Sequence, residues 1–125
     1  MKGLEKRRVA ITGLGMVTPV GFGKEPFWNA LISGKSGIKP IRGFDTSCYQ
    51  TTRGGEIQDF NPTDYLTDLE TATLDRVSHF AVASTNMAIE DSNLELCYID
   101  LKKAGIILGT STAANQSSYH GKWIK

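Results

Sequence analysis

The sequence predicts an α/β layered fold, with helices packed against a parallel-rich sheet, and three runs predict it. Val9-Ala10-Ile11-Thr12 is a short β-favouring run ended by Gly13. From about Glu70 to Asp91, Leu74, Val77, Ala81, Ser84 and Ala88 recur at steps of three and four, with Phe80 and Met87 beside them; that is the period of one helix face. Ala104-Gly105-Ile106-Ile107-Leu108-Gly109 is continuously apolar, which suits a strand covered on both faces. Strand, long helix and second buried strand make a right-handed crossover unit, with helices layered on a central sheet.

The first run leads into Gly13-Leu14-Gly15, which invites a dinucleotide-binding reading. That fingerprint needs a third glycine or alanine three residues on, inside a helix whose N-terminus faces the pyrophosphate. Thr18 stands there, and Pro19 after it biases Thr18 away from helical dihedrals. No acidic residue ends a second strand at the expected distance. The remaining reading is that Gly13 and Gly15 allow tight turning or close packing where a side chain would clash. The loop to Gly21 and Gly23 then leads into a helix.

That helix spans Lys24 to Ser33. Pro26 suits the first turn, Phe27, Trp28, Leu31 and Ile32 give an apolar stripe, and Gly34 suits the C-terminal cap. Ser36 to Asp59 carries Gly37, Pro40, Gly43, Gly54 and Gly55, and reads as a long excursion with one short strand near Gly55 to Ile57. Asn61-Pro62 starts a short helix, with Asn61 capping, Pro62 in the first turn and Asp64 favourable to the helix dipole. After the long helix, Asn93 is a left-handed stop.

Composition narrows the function classes. A chain of 125 residues is one domain or part of one. Its net charge of +1 gives no global pull toward nucleic acid or anionic membrane, and Lys6-Arg7-Arg8 reads as a solvated entry to the first strand. No apolar run approaches the roughly 20 residues that span a bilayer, and charges interrupt any leader by residue 8, so a cytoplasmic protein is expected. Cys48 and Cys97 fit no metal spacing and no disulfide scaffold.

Five blocks together resemble the N-terminal segment of the condensing enzymes, nearest the elongating β-ketoacyl-acyl-carrier-protein synthases of type II. They are R-R-V-A-I-T-G-L-G-M-V-T-P-V-G at Arg7 to Gly21 and W-N-A-L-I-S-G-K-S-G-I at Trp28 to Ile38. Next comes F-D-T-S at Phe44 to Ser47, with G-G-E-I and D-F-N-P-T-D-Y-L following. Last are L-D-R-V-S-H-F-A at Leu74 to Ala81 and G-I-I-L-G-T-S at Gly105 to Ser111. Each block is modest alone; their order and spacing are specific and cover nearly the whole chain.

The resemblance implies a thiolase-like fold, of which residues 1–125 would be an incomplete N-terminal part, ending before the nucleophile. It implies a decarboxylative condensation of acyl and malonyl thioesters, in fatty-acid or polyketide synthesis. The partners implied are acyl carrier protein, a complementary C-terminal ketosynthase segment or chain, and a second subunit in a dimer. No cofactor and no metal are expected, and the charge balance leaves no nucleic-acid partner expected.

The family's nucleophile lies in a threonine-alanine-cysteine context, and neither Cys48 nor Cys97 has it, so no catalytic residue is expected in this chain. His79 falls one helical turn after Asp75, which allows an i,i+4 contact, and helix packing is its expected role. His120 comes too early to match a catalytic histidine of the family. In the family the loop after the second strand approaches the acyl pocket. Here that loop is Gly109-Thr110-Ser111-Thr112-Ala113-Ala114, which makes Ser111 and Thr112 the candidate substrate-binding residues. The usual pattern has more glycine and an apolar residue where Thr112 stands; a polar, branched residue makes that wall smaller and less apolar, which suits a short or oxygenated acyl chain, and the alternative is a plain strand-to-helix loop. The competing readings are a non-catalytic, chain-length-factor-like partner or scaffold, and an unrelated α/β nucleotide-binding module.

Overall fold

The computed structural model describes residues 8–110. Its first hairpin pairs β1 (Val17–Thr18) with β2 (Gly21–Phe22), with Val17 opposite Phe22 and Thr18 opposite Gly21. Thr18 builds the corner: its hydroxyl donates to the Gly21 carbonyl at 2.8 Å and accepts from the Val20 N–H at 3.3 Å. The residue that a dinucleotide motif would need at a helix N-terminus is therefore a hairpin corner.

Helix α1 (Lys24–Ile32) follows Gly23, whose φ of 79° few other residues tolerate. The helix ends as its sequence predicts. Gly34 takes φ 67°, its N–H donates to the Leu31 carbonyl, and the Lys35 N–H reaches back to Ala30. That is a Schellman closure, which satisfies carbonyls the helix itself leaves unpaired. The expected apolar stripe is not buried. Ala30 is the buried residue and Phe27 is half-buried, whereas Trp28, Leu31 and Ile32 are exposed. The cause is the width of the support, since α1 packs on β2 and a two-residue strand covers one side of a helix.

In the excursion, β3 (Lys39–Pro40) pairs antiparallel with β4 (Arg53–Gly54), and the Ile41 N–H to Thr52 carbonyl bond extends the ladder. The strand expected at Gly55 to Ile57 thus lies earlier. Glu56 explains the shift: its carboxylate, rather than a backbone ladder, takes the Arg42 N–H at 2.8 Å and the Gly43 N–H at 2.7 Å. Pro62–Asp64 is one 3-10 turn. Asn61 precedes it without capping it, because its amide donates to Asp64 Oδ1 and its side-chain oxygen accepts from the Thr63 hydroxyl.

The single helix expected from Glu70 to Asp91 is two helices. Thr67 starts α2 (Asp68–Thr73) with a capping box: its hydroxyl accepts from the Glu70 N–H, and the Glu70 carboxylate accepts from the Thr67 N–H. Leu74 leaves the helix at ψ 154°, and Asp75 caps α3 (Arg76–Asp91) by accepting from the Ser78 N–H at 2.8 Å. Asn93 stops α3 at φ 50°, with the Leu94 N–H reaching back to Ile89.

The core is small and aromatic. Phe60 is buried with Leu66 and Ala83, and its ring meets Phe22 and Phe80 edge-on and stacks on Tyr65, with centroids 5.0 to 5.7 Å apart. Such pairs add about 0.5–1.5 kcal/mol beyond area burial. The Arg76 guanidinium lies 5.0 Å over Phe80 and donates to the Ile57 carbonyl, which ties the excursion to α3.

The parallel pairing expected for the two apolar runs is absent among the described residues: both sheets are antiparallel hairpins. Val9 and Ile11 are 90% and 82% exposed, and Ile106 and Ile107 are 92% and 100% exposed. Neither run has a ladder partner here, so their β-favouring composition is not realised as strand.

Candidate functional site

The glycine turn is a packing device. A Cβ on Gly13 would lie 2.7 Å from Ser92 Cβ and collide with the Ala88 carbonyl oxygen. One on Gly15 would lie 2.9 Å from the Ala88 N and collide with the Ser84 carbonyl oxygen. The segment therefore lies directly on the backbone of α3, as close packing predicts.

Asp91, the last residue of α3, fixes that approach. Its Oδ2 accepts from the Leu14 N–H at 3.0 Å, and its Oδ1 pairs with Lys24 Nζ at the start of α1. The hydrogen bond from Lys24, then that from Leu14, holds the Asp91 carboxyl below the ordinary carboxylate value. The same partner raises the Lys24 ammonium. Sequence reasoning missed this contact, because nothing local in either residue's neighbourhood announces a bond across 77 positions.

Beside the turn lies an open groove of about 750 Å³. Met16 and Val17 line one wall, Leu74, Val77, Phe80 and Ala81 the floor, and Leu108, Gly109 and Thr110 the other wall. Its polar groups are Thr18, Asp75, Ser78, Ser84 and Thr110. Asp75 is occupied by capping: hydrogen bonds from Ser78 hold its carboxyl below the ordinary range. The lining is thus a bed for an apolar group with hydroxyls at its rim. Among the described residues its one hydroxyl–carboxylate pair, Ser78 with Asp75, is the N-terminal cap of α3.

The predicted substrate-binding residues Ser111 and Thr112 lie outside the described residues. The same loop's Gly109 and Thr110 are described, and they form the groove wall. Cys48 and Cys97 are both free and exposed. His79 bonds to Asp75 through its backbone N–H at 2.9 Å, and its buried Nε2 has no hydrogen-bond partner among the described residues. No cluster of metal-ligating side chains occurs among the described residues, and no described helix is long and apolar enough to cross a membrane.

Comparison with known proteins gives a consistent result. Residues 6–123 match the family described as beta-ketoacyl synthase, N-terminal domain. The chain is 40% identical over 110 residues to 3-oxoacyl-[acyl-carrier-protein] synthase 2 of Synechocystis sp., which covers 88% of this chain and 26% of that protein. It is 36% identical over 111 residues to granaticin polyketide putative beta-ketoacyl synthase 1 of Streptomyces violaceoruber, covering 89% and 26%. A solved structure, the ishigamide ketosynthase/chain length factor, superposes with a TM-score of 0.67 at 33% identity. That match covers 73% of this chain and 23% of the other. The chain spans about a quarter of the length of the curated relatives it matches.

Proposed function

Because the chain belongs to the beta-ketoacyl synthase family, in its N-terminal domain, we propose that it forms the N-terminal part of an enzyme that condenses acyl and malonyl thioesters. The observation that carries this reading is the family match over residues 6–123, nearly the whole chain. The reaction needs a cysteine thiolate, supplied by sequence outside this chain. The thiolate takes the acyl group from the phosphopantetheine thioester of an acyl carrier protein and releases the carrier thiol. Malonyl thioester then loses carbon dioxide, and its carbanion attacks the acyl-enzyme carbonyl and expels the cysteine thiolate. Oxyanion donors and histidines of the complete enzyme stabilise the charge that develops.

This chain alone is inactive on that reading. It contributes a wall of the thiolase-like fold and the loop that carries Ser111 and Thr112 toward the acyl chain. The runs at 9–12 and 104–109 become neighbouring parallel strands of a sheet completed by a C-terminal segment or chain, in a dimeric, cytoplasmic protein. What supports this is their composition and their bare edges. A second reading, a non-catalytic chain-length-factor-like partner, is favoured by one observation: the similar solved structure is a ketosynthase/chain length factor.

Native and then denaturing mass spectrometry of the protein from its source tests both. A polypeptide that includes or accompanies this chain and takes up acyl from acyl carrier protein on one cysteine is the expected result. A complex that binds carrier protein but loads nothing favours the chain-length-factor reading. A lone 13.6 kDa species that does neither overturns both.

A further inference from the structure

Arg76 opens α3 with most of its guanidinium unspent. It donates to the Ile57 carbonyl and lies 5.0 Å over the Phe80 ring. A guanidinium carries several N–H donors, so one carbonyl leaves most of them over. The only ion pairs among the described residues are Lys24 with Asp91 and Lys103 with Asp100, so Arg76 has no carboxylate partner there. Beside it, between the excursion and α3, lies an open pocket of about 400 Å³. Phe44, Ile57, Val77 and Phe80 are its apolar walls, and Glu56 and Arg76 its charged groups. Phe44 meets Tyr49 edge-on at 5.8 Å and is still 58% exposed.

Glu56 is turned to the protein. Its carboxylate accepts from the Arg42 and Gly43 N–H groups and from Gln58 Nε2 at 2.6 Å. Gly43 gives it room, since a Cβ there would lie 2.5 Å from Glu56 Oε1. An adjoining crevice of about 280 Å³ shares Glu56 and Arg76 with the pocket. It adds Arg42, which also has no ion pair among the described residues, and the exposed carboxylate of Asp59.

We propose that this pocket binds a small carboxylate with an aromatic body, its head between Arg76 and Arg42 and its ring among Phe44, Ile57, Val77 and Phe80. The size and lining are those of small-molecule sites, which run to about 300–1,000 Å³ and set a few polar groups in mostly apolar walls. A guanidinium with donors to spare takes both oxygens of a carboxylate, and two ring walls offer an aryl group edge-to-face contacts. An ammonium ligand fits less well, because the carboxylate it would need is already held by three N–H donors. Val77 and Phe80 stand between this pocket and the groove, and Gly109 and Thr110 line the groove and not the pocket. The pocket's chemistry does not depend on the condensing activity.

Calorimetric titration of the whole protein that contains this chain, with 3-phenylpropanoate and with 3-phenylpropanamide, tests the site. The native protein is expected to prefer the acid to the amide by about ten-fold, the worth of one charge-assisted pair. Arg42→Gln keeps the backbone N–H that holds Glu56, and is expected to weaken the acid and spare the amide. Phe44→Ala is expected to weaken both. Asp59→Asn removes the opposing charge of the crevice and is expected to tighten the acid alone, a gain that misfolding cannot mimic. No binding of the acid by the native protein overturns the site. So does acid binding that is unaltered in all three variants, as it would be for a carboxylate held at a thioester site elsewhere in the protein. Equal loss of acid and amide in Arg42→Gln overturns the carboxylate head.

Discussion

Gly13 and Gly15 are required for space rather than for backbone freedom, since neither takes a positive φ. Gly23 is the reverse case: φ is 79° and nothing lies within 4 Å of its absent Cβ. The two kinds of glycine predict different losses. Gly15→Ala forces α3 away from the turn and is expected to cost about 1–3 kcal/mol, the range for overpacking. Gly23→Ala is expected to cost about 1–3 kcal/mol, from a backbone conformation, φ 79° with ψ 171°, that is essentially open to glycine alone. Urea unfolding midpoints measure both, and hydrogen exchange along α3 separates them, rising only in Gly15→Ala. Asp91 gives a pH prediction. Its folded pKa is depressed, so its contribution is present above the ordinary value of 3.8 and lost as pH falls through the folded value. Lys24 is raised above 10.5, so its contribution is present below that pH and lost as pH rises through the folded value. Asp91→Asn is therefore expected to melt below the native protein at neutral pH, with the gap closing in acid; a gap independent of pH would contradict the pairing.

At the scale of elements, what the sequence disclosed was what neighbours within a turn decide. Helix α1 and its Gly34 stop, and the Asn93 stop of α3, follow from residues within one turn of each end. The division at Leu74 was equally local. Thr67 with Glu70 and Asp75 with Ser78 are both cap pairs, but a long apolar period running through Leu74 outweighed them. The displaced strand at Arg53–Gly54 was not legible, because it depends on where the Glu56 carboxylate reaches, and that is set by Arg42 and Gly43 across the excursion. The groove was half legible: the loop was marked by resemblance, whereas its floor on α3 needed the fold. Thr67→Ala is expected to cost about 1 kcal/mol by removing the capping box, with α2 fraying before α3. Amide exchange at Glu70 compared with Ser78 checks the order.

At the scale of the whole molecule, 15 large apolar side chains stand exposed among the described residues, against 4 apolar residues that are buried. Ile106, Ile107 and Leu108 stand exposed on one run, and Val9 and Ile11 on another. Bare edges of this kind invite pairing with any strand available. The chain studied without a partner is expected to self-associate as concentration rises. Ile107→Lys is expected to reduce that association without changing far-ultraviolet circular dichroism, and sedimentation velocity reads the difference. A native chain that stays monomeric at high concentration would show that these runs are protected in solution.

The bond from Leu14 to Asp91 has a kinetic meaning. It spans 77 positions, and closure entropy grows with the logarithm of loop length, so this bond is expected to form late in folding. Helices α1 and α3 can each form and fray locally, but the Leu14 amide gains its acceptor only when the glycine turn and the end of α3 have converged. Its exchange rate therefore serves as a clock for assembly, silent while the parts form and slowed only once they are joined.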